Sequence, residues 1–174
     1  MNQKNNHGFT LIELLVVIAI ISLLSTTVMA SLNQARQKSR DAKRLSDMKT
    51  IQTALELYYN DNNGYPVTGW RSECNGWGSH AAVNVIPGLV PTYIGKMPSD
   101  PMMNKTANQN CYIYESVDNG ASFKLLDYNC LDCTIATAPS FKDPARNGGS
   151  TSCPSNLEPT ATWAIWSSPS SMCW

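Results

Sequence analysis

From Phe9 to Asn63 the chain has neither a glycine nor a proline, so nothing in those 55 residues compels a kink. One helix of about 80 Å is therefore expected at helical rise. Net charge is also missing: 13 basic residues balance 13 acidic ones, which removes any general attraction for nucleic acid. Histidine is nearly absent. His7 lies in a short polar leader and His80 has no partner at a telling spacing, and no glycine-rich phosphate loop occurs. These absences exclude the common hydrolytic and nucleotide-dependent chemistries, and the chain reads as a non-enzyme with no cofactor. Beyond Gly64 no second long amphipathic pattern appears, only short β-rich pieces between Gly, Pro, Ser and Asn.

What is present is a long apolar run. Phe9 to Ala30 are 22 residues with one formal charge, Glu13. At helical rise they reach roughly 33 Å, enough for a hydrocarbon core near 30 Å. An ordinary secretory signal is cut on the far side of its apolar core, whereas here a polar leader, residues 1–8, precedes the run. An uncleaved signal anchor is the plain alternative. Ionised at the centre of a membrane helix, Glu13 would cost about 2.5–3.5 kcal/mol, less near the helix end, so it needs either water or a cationic partner. Ser22, Thr26 and Ala30 fall at i, i+4 and i+8, a line of small residues that lets helices approach closely in lipid.

The junction Gly8, Phe9, Thr10, Leu11, Ile12, Glu13 resembles the prepilin peptidase site of type IV pilins and of the pseudopilins of type II secretion. The resemblance implies cleavage after Gly8, N-methylation of the new terminus at Phe9, and an assembly role for Glu13, which would pair with the Phe9 amine of a neighbouring subunit. It also implies the partners: copies of the same subunit, a prepilin peptidase, an inner-membrane assembly platform and membrane lipid. Asp61–Pro66 (DNNGYP), Tyr93–Pro101 (YIGKMPSDP) and Tyr112–Tyr114 (YIY) are similar to the major pseudopilins. In those proteins a calcium ion stabilises a late loop rich in Asp and Gly. Here Asp127, Asp132 and Asp143 stand apart among Cys and Pro, so no such site is expected. Many type IV pilins break the helix with Gly or Pro, and this chain does not.

Charge is unevenly spread. Arg36 to Lys49 hold six basic residues against two acidic ones, a net of +4, and residues 50–174 hold six basic against ten acidic, a net of −4. A solvated helix face is the first reading of the basic run, subunit pairing the second, DNA contact the last. The positive-inside rule would keep this run in the cytoplasm. The cytoplasmic-side peptidase of the resembling family and the position of all six cysteines beyond the helix argue for the opposite topology. The expected location is the cytoplasmic membrane, single-pass with the head outside, and then a cell-surface or periplasmic filament.

Leu32, Ala35, Ala42, Leu45, Met48, Ile51, Leu55 and Tyr58 recur at helical spacings and mark one apolar face. Asn62, Asn63 and Gly64 should end the helix, with Gly64 left-handed and Pro66 preventing resumption. Cys111–Ser116 and Ala121–Tyr128 read as a hairpin around Asp118, Asn119 and Gly120, and Thr162–Ser167 as a third strand. The fold class is α+β: a long N-terminal helix, membrane-spanning in its first half, packed on a small antiparallel sheet. The expected divisions are a leader (1–8), a transmembrane half-helix (9–30), an amphipathic half-helix (31–63) and a Cys-rich β head (64–174).

Cys74, Cys111, Cys130, Cys133, Cys153 and Cys173 are disulfide candidates with 15 possible connectivities. Bridges closing large loops between Cys130 and Cys173 would each contribute about 3–4 kcal/mol. The alternatives are a zinc site from Cys130, Cys133 and two later cysteines, with His80 in reserve, or a redox C-x-x-C. Trp70, Trp77, Trp163, Trp166 and Trp174 should mostly fill the core, an exposed subset being able to bind sugar or another subunit. The functional reading is a structural filament subunit. The others are a minor or tip subunit that grips DNA, a surface or substrate, and a membrane-anchored Cys-rich metal or redox protein.

Overall fold

Helix α1 runs unbroken over Leu11–Asn62, as the absence of Gly and Pro requires. The structure, a computed structural model, describes residues 9–134, 139–146, 153 and 162–173. Two units divide the chain, residues 1–38 and 39–174. In the first, every described residue from Phe9 through Arg36 is exposed, including fifteen large apolar side chains such as Leu11, Ile18 and Leu24.

In the second unit the remainder of α1 lies against a four-stranded antiparallel sheet of order β1-β2-β3-β4, with β1 Arg71–Ser72, β2 Cys111–Val117, β3 Ser122–Tyr128 and β4 Trp163–Trp166. The expected hairpin forms as β2 and β3 in the register Cys111↔Tyr128 to Val117↔Ser122. Its turn places Asp118, Asn119 and Gly120 at positive φ. Gly120 is required there for a second reason, since a Cβ would meet the Tyr65 carbonyl at 2.6 Å. The third expected strand is β4. The short β1 carried no period-2 pattern; Ser72 Oγ donates to the Tyr112 carbonyl at 2.8 Å and secures it to β2.

Strand alternation gives the sheet two apolar faces. Tyr112, Tyr114, Phe123, Leu125, Trp163 and Ile165 pack with Met48, Ile51, Ala54 and Leu55 of α1. On the opposite face Cys111, Ile113, Leu126 and Ala164 meet Cys74 and the partly buried Trp70, Trp77 and Trp166. Two expectations about α1 need correction. Its terminal left-handed residue is Asn63 (φ 60°), not Gly64, because an asparagine tolerates that conformation. The apolar stripe holds from Leu45 to Tyr58, but Leu32, Ala35 and Ala42 are exposed, and the buried face continues instead through Arg44 and Asp41.

Candidate functional site

At the start of α1 the backbone N–H of Thr10 donates to Glu13 Oε2 at 2.9 Å and the Thr10 hydroxyl donates to the same oxygen at 2.6 Å. The Glu13 N–H returns a bond to Thr10 Oγ1 at 3.3 Å. This reciprocal pair is a capping box, which satisfies donors that a helix start leaves open. The sequence carried its signature, Thr-x-x-Glu before an apolar run, and the reading of Glu13 through the resemblance passed over it. Oε1 makes no hydrogen bond among the described residues, and Phe9 is 84% exposed. Gly8 lies outside the described residues. Further along, Ser22 Oγ donates to the Ile18 carbonyl and Thr26 Oγ1 to that of Leu23. Both hydroxyls are satisfied within their own helix, so the Ser22–Thr26–Ala30 line presents a small and locally bonded surface.

The second constellation was not anticipated. Arg44 sits fully buried in the basic run, its guanidinium shared among carboxylates from four parts of the chain. Nη1 donates to Asp41 Oδ1 at 2.9 Å, Nη2 to Asp132 Oδ1 at 2.6 Å, and Nε to Asp100 Oδ2, with Asp127 Oδ2 3.5 Å from Nε. Arg40 Nε donates to the other oxygen of Asp132 at 2.6 Å. Burial opposes the Arg44 charge, but the hydrogen bond and charge of Asp100, with Asp127 and Asp132 behind it, outweigh burial and hold the guanidinium above its usual range. Asp127 is pushed toward its neutral form. Its complete burial, then the Asp100 charge, raise it well above the carboxylate range despite Arg44, and Oδ1 finds no partner among the described residues.

Two readings of the sequence are thereby corrected. The basic run is not a uniformly solvated face, since Arg44 turns inward to meet carboxylates that converge only after folding. Asp127, Asp132 and Asp143 are not isolated. On the sheet's other face the buried Lys124 Nζ donates to Asp143 Oδ1 and to the Met172 carbonyl, both at 2.9 Å, and Arg146 Nη1 donates to Asp143 Oδ2 at 2.7 Å. Burial pulls Lys124 below its ordinary value, and Asp143 works against that pull.

The six cysteines form three bridges: Cys74–Cys111, Cys130–Cys133 and Cys153–Cys173. One departs from the expectation of large loops, because Cys130 and Cys133 are three residues apart. With all six oxidised there is no thiolate for the zinc alternative. Asp127, Cys130 and Cys133 do lie within 4.8 Å of one another, but the two sulfurs bind each other. His80 Nδ1 stands 3.1 Å from Arg71 Nη2, away from this group. Trp163 is fully buried, as core filling requires, and Trp174 lies outside the described residues.

Residues 3–29 match the family described as the prokaryotic N-terminal methylation motif. The type II secretion system core protein G of Aeromonas hydrophila is 34% identical over 112 residues, which cover 60% of this chain and 73% of that protein. That of Escherichia coli (strain K12) is 34% identical over 103 residues, 56% of this chain and 68% of its own. The type IV wide pilus major component of Thermus thermophilus is 40% identical over 63 residues, 36% of this chain and 48% of its own. No solved structure matches.

Proposed function

Because the chain belongs to the family of type II secretion system core protein G, a family of structural filament subunits, we propose that it is made as a precursor, cut between Gly8 and Phe9, methylated at Phe9, and polymerised into a filament. A secretion pseudopilus is the favoured filament, because relatives matched over more than 100 residues bear the core protein G name. The apolar half of α1 anchors the subunit in the membrane, with the head on the outer side of the cytoplasmic membrane. There it awaits transfer by an assembly platform to copies of itself.

The observation that carries this reading is the start of α1. A helix long and apolar enough to cross a membrane exposes every described residue of its first half, and its single acid uses one oxygen for its own cap. The second oxygen is left for the cationic amine that cleavage would create on a neighbour's Phe9. Packing along Ser22, Thr26 and Ala30 would bring such neighbours close. Glu13→Ala tests the pairing. Filament yield, read by shearing and by electron microscopy, should fall at least tenfold while the processed monomer accumulates in the membrane fraction, the order expected when one charge-assisted bond per interface is lost. Normal filaments from that variant would refute the reading.

A further inference from the structure

Folding divides the basic run of α1 into cations that the chain answers itself and cations that it leaves open. Arg40 pairs with Asp132, Lys43 with Asp47, and Arg44 with Asp41, Asp100 and Asp132. Arg36, Lys38 and Lys49 are exposed and make no ion pair among the described residues. Two of these follow directly on the apolar half of the helix. Arg36 and Lys38 stand four and six residues past Leu32, the last large apolar side chain of the exposed run, and belong with it to the first unit. The described residues of that unit hold a single acid, Glu13, at the opposite end of the apolar run.

We propose that Arg36 and Lys38 form a docking surface for the phosphates of anionic phospholipid in the membrane that α1 crosses. At helical rise the two residues lie about 6 Å and about 9 Å beyond Leu32. The headgroup layer is roughly 5–8 Å deep on each side of the hydrocarbon, which places both backbones at its outer edge. Long basic side chains reach back from such a position, laying their stems on apolar surface and their charge among the phosphates. The surface is continuous with the apolar span, so its occupant is already present: the lipid that surrounds Leu24, Val28 and Leu32 carries its phosphates beside the two cations.

Charge favours lipid over a second copy at this place. A parallel copy anchored at the same depth brings Arg36 and Lys38 against the same two cations, which repel, whereas anionic headgroups between such neighbours attract both. The inference rests on the membrane anchoring proposed above and adds to it a preference for lipid charge. Withdrawal of the subunit for assembly then has to break phosphate contacts as well as remove the apolar span from lipid.

The test records native mass spectra of the full chain released from detergent micelles that hold equal amounts of dioleoylphosphatidylglycerol and dioleoylphosphatidylcholine. Phosphatidylglycerol adducts should exceed phosphatidylcholine adducts roughly 25-fold, at about fivefold per cation. Arg36→Gln combined with Lys38→Gln should bring the ratio near parity. Lys49→Gln, at a residue also exposed and without an ion pair but about three turns further along α1, should leave it unchanged. Equal adducts in the wild type, a ratio that the double variant does not lower, or an equal fall in Lys49→Gln each overturn the inference. Chain dimers that form without lipid preference and vanish in the double variant would also overturn it, by giving the two cations to a second copy. Absence of adducts with either lipid would overturn the anchoring itself, whereas equal adducts leave anchoring intact, so the two readings fail separately.

Discussion

Replacing Arg44 with alanine removes the cation around which the second unit closes. Asp41, Asp100 and Asp127 are 1%, 5% and 0% exposed, so the truncation leaves three carboxylates out of reach of water and of any comparable charge. Breaking a buried pair by deleting one partner costs about 3–5 kcal/mol, since the survivor keeps its desolvation penalty. For a unit of this size that corresponds to a fall in Tm of roughly 10–15 °C. The near-ultraviolet circular dichroism of the intact chain in micelles reports this unit, because Trp163 lies in its core.

A second signature separates stranded charge from simple loss of packing. Without Arg44, Asp127 loses the cation that opposes its upward shift, so as pH falls from 7.5 toward about 4.5 the native state binds protons that the unfolded chain does not. Stability is then gained on acidification, and the gap to the wild type narrows. Lysine at this position keeps the charge but not the fork that reaches Asp41, Asp100 and Asp132 at once, and should fall between alanine and wild type. A loss of under about 3 °C in the alanine variant, or a gap constant with pH, would show that the cluster is not held by this charge.

Asp127→Asn should make the chain more stable than wild type at pH 7.5, by roughly a few degrees in Tm. The sign follows from the raised native value of Asp127: its contribution is full below the unfolded value and is lost as pH rises through the folded one, whereas asparagine never ionises. The advantage should vanish near pH 4 in thermal melts, and a variant less stable at every pH would contradict it. Replacing Cys74 and Cys111 together with alanine opens a bridge spanning 37 residues. It should cost about 2–4 kcal/mol and loosen β1 first, seen as faster amide exchange at Arg71 and Ser72 than in β3.

Much of the fold was legible because it rests on local pattern. The run without Gly or Pro became α1, the apolar spacing from Leu45 to Tyr58 became its packed face, and Asp118–Gly120 turned β2 into β3. The capping box at Thr10 and Glu13 was equally local and should have been read, since its spacing is a sequence property. Arg44 could not be. Within its own stretch it is one of six basic residues, and its carboxylate partners Asp100, Asp127 and Asp132 lie 56, 83 and 88 positions away. The two-residue β1 was equally hidden, because a strand that short has no period to detect and depends on Ser72 and the Cys74–Cys111 bridge.

Sequence alone determined that this chain carries a membrane-length apolar helix with one acid near its start, because length and hydropathy act residue by residue along a helix and need no partner. Tertiary structure alone decided which cysteines pair, which of the arginines is buried, and that Asp127 sits beside a disulfide. Those facts depend on which distant segments the sheet brings together, and desolvation and charge act through space rather than along the chain.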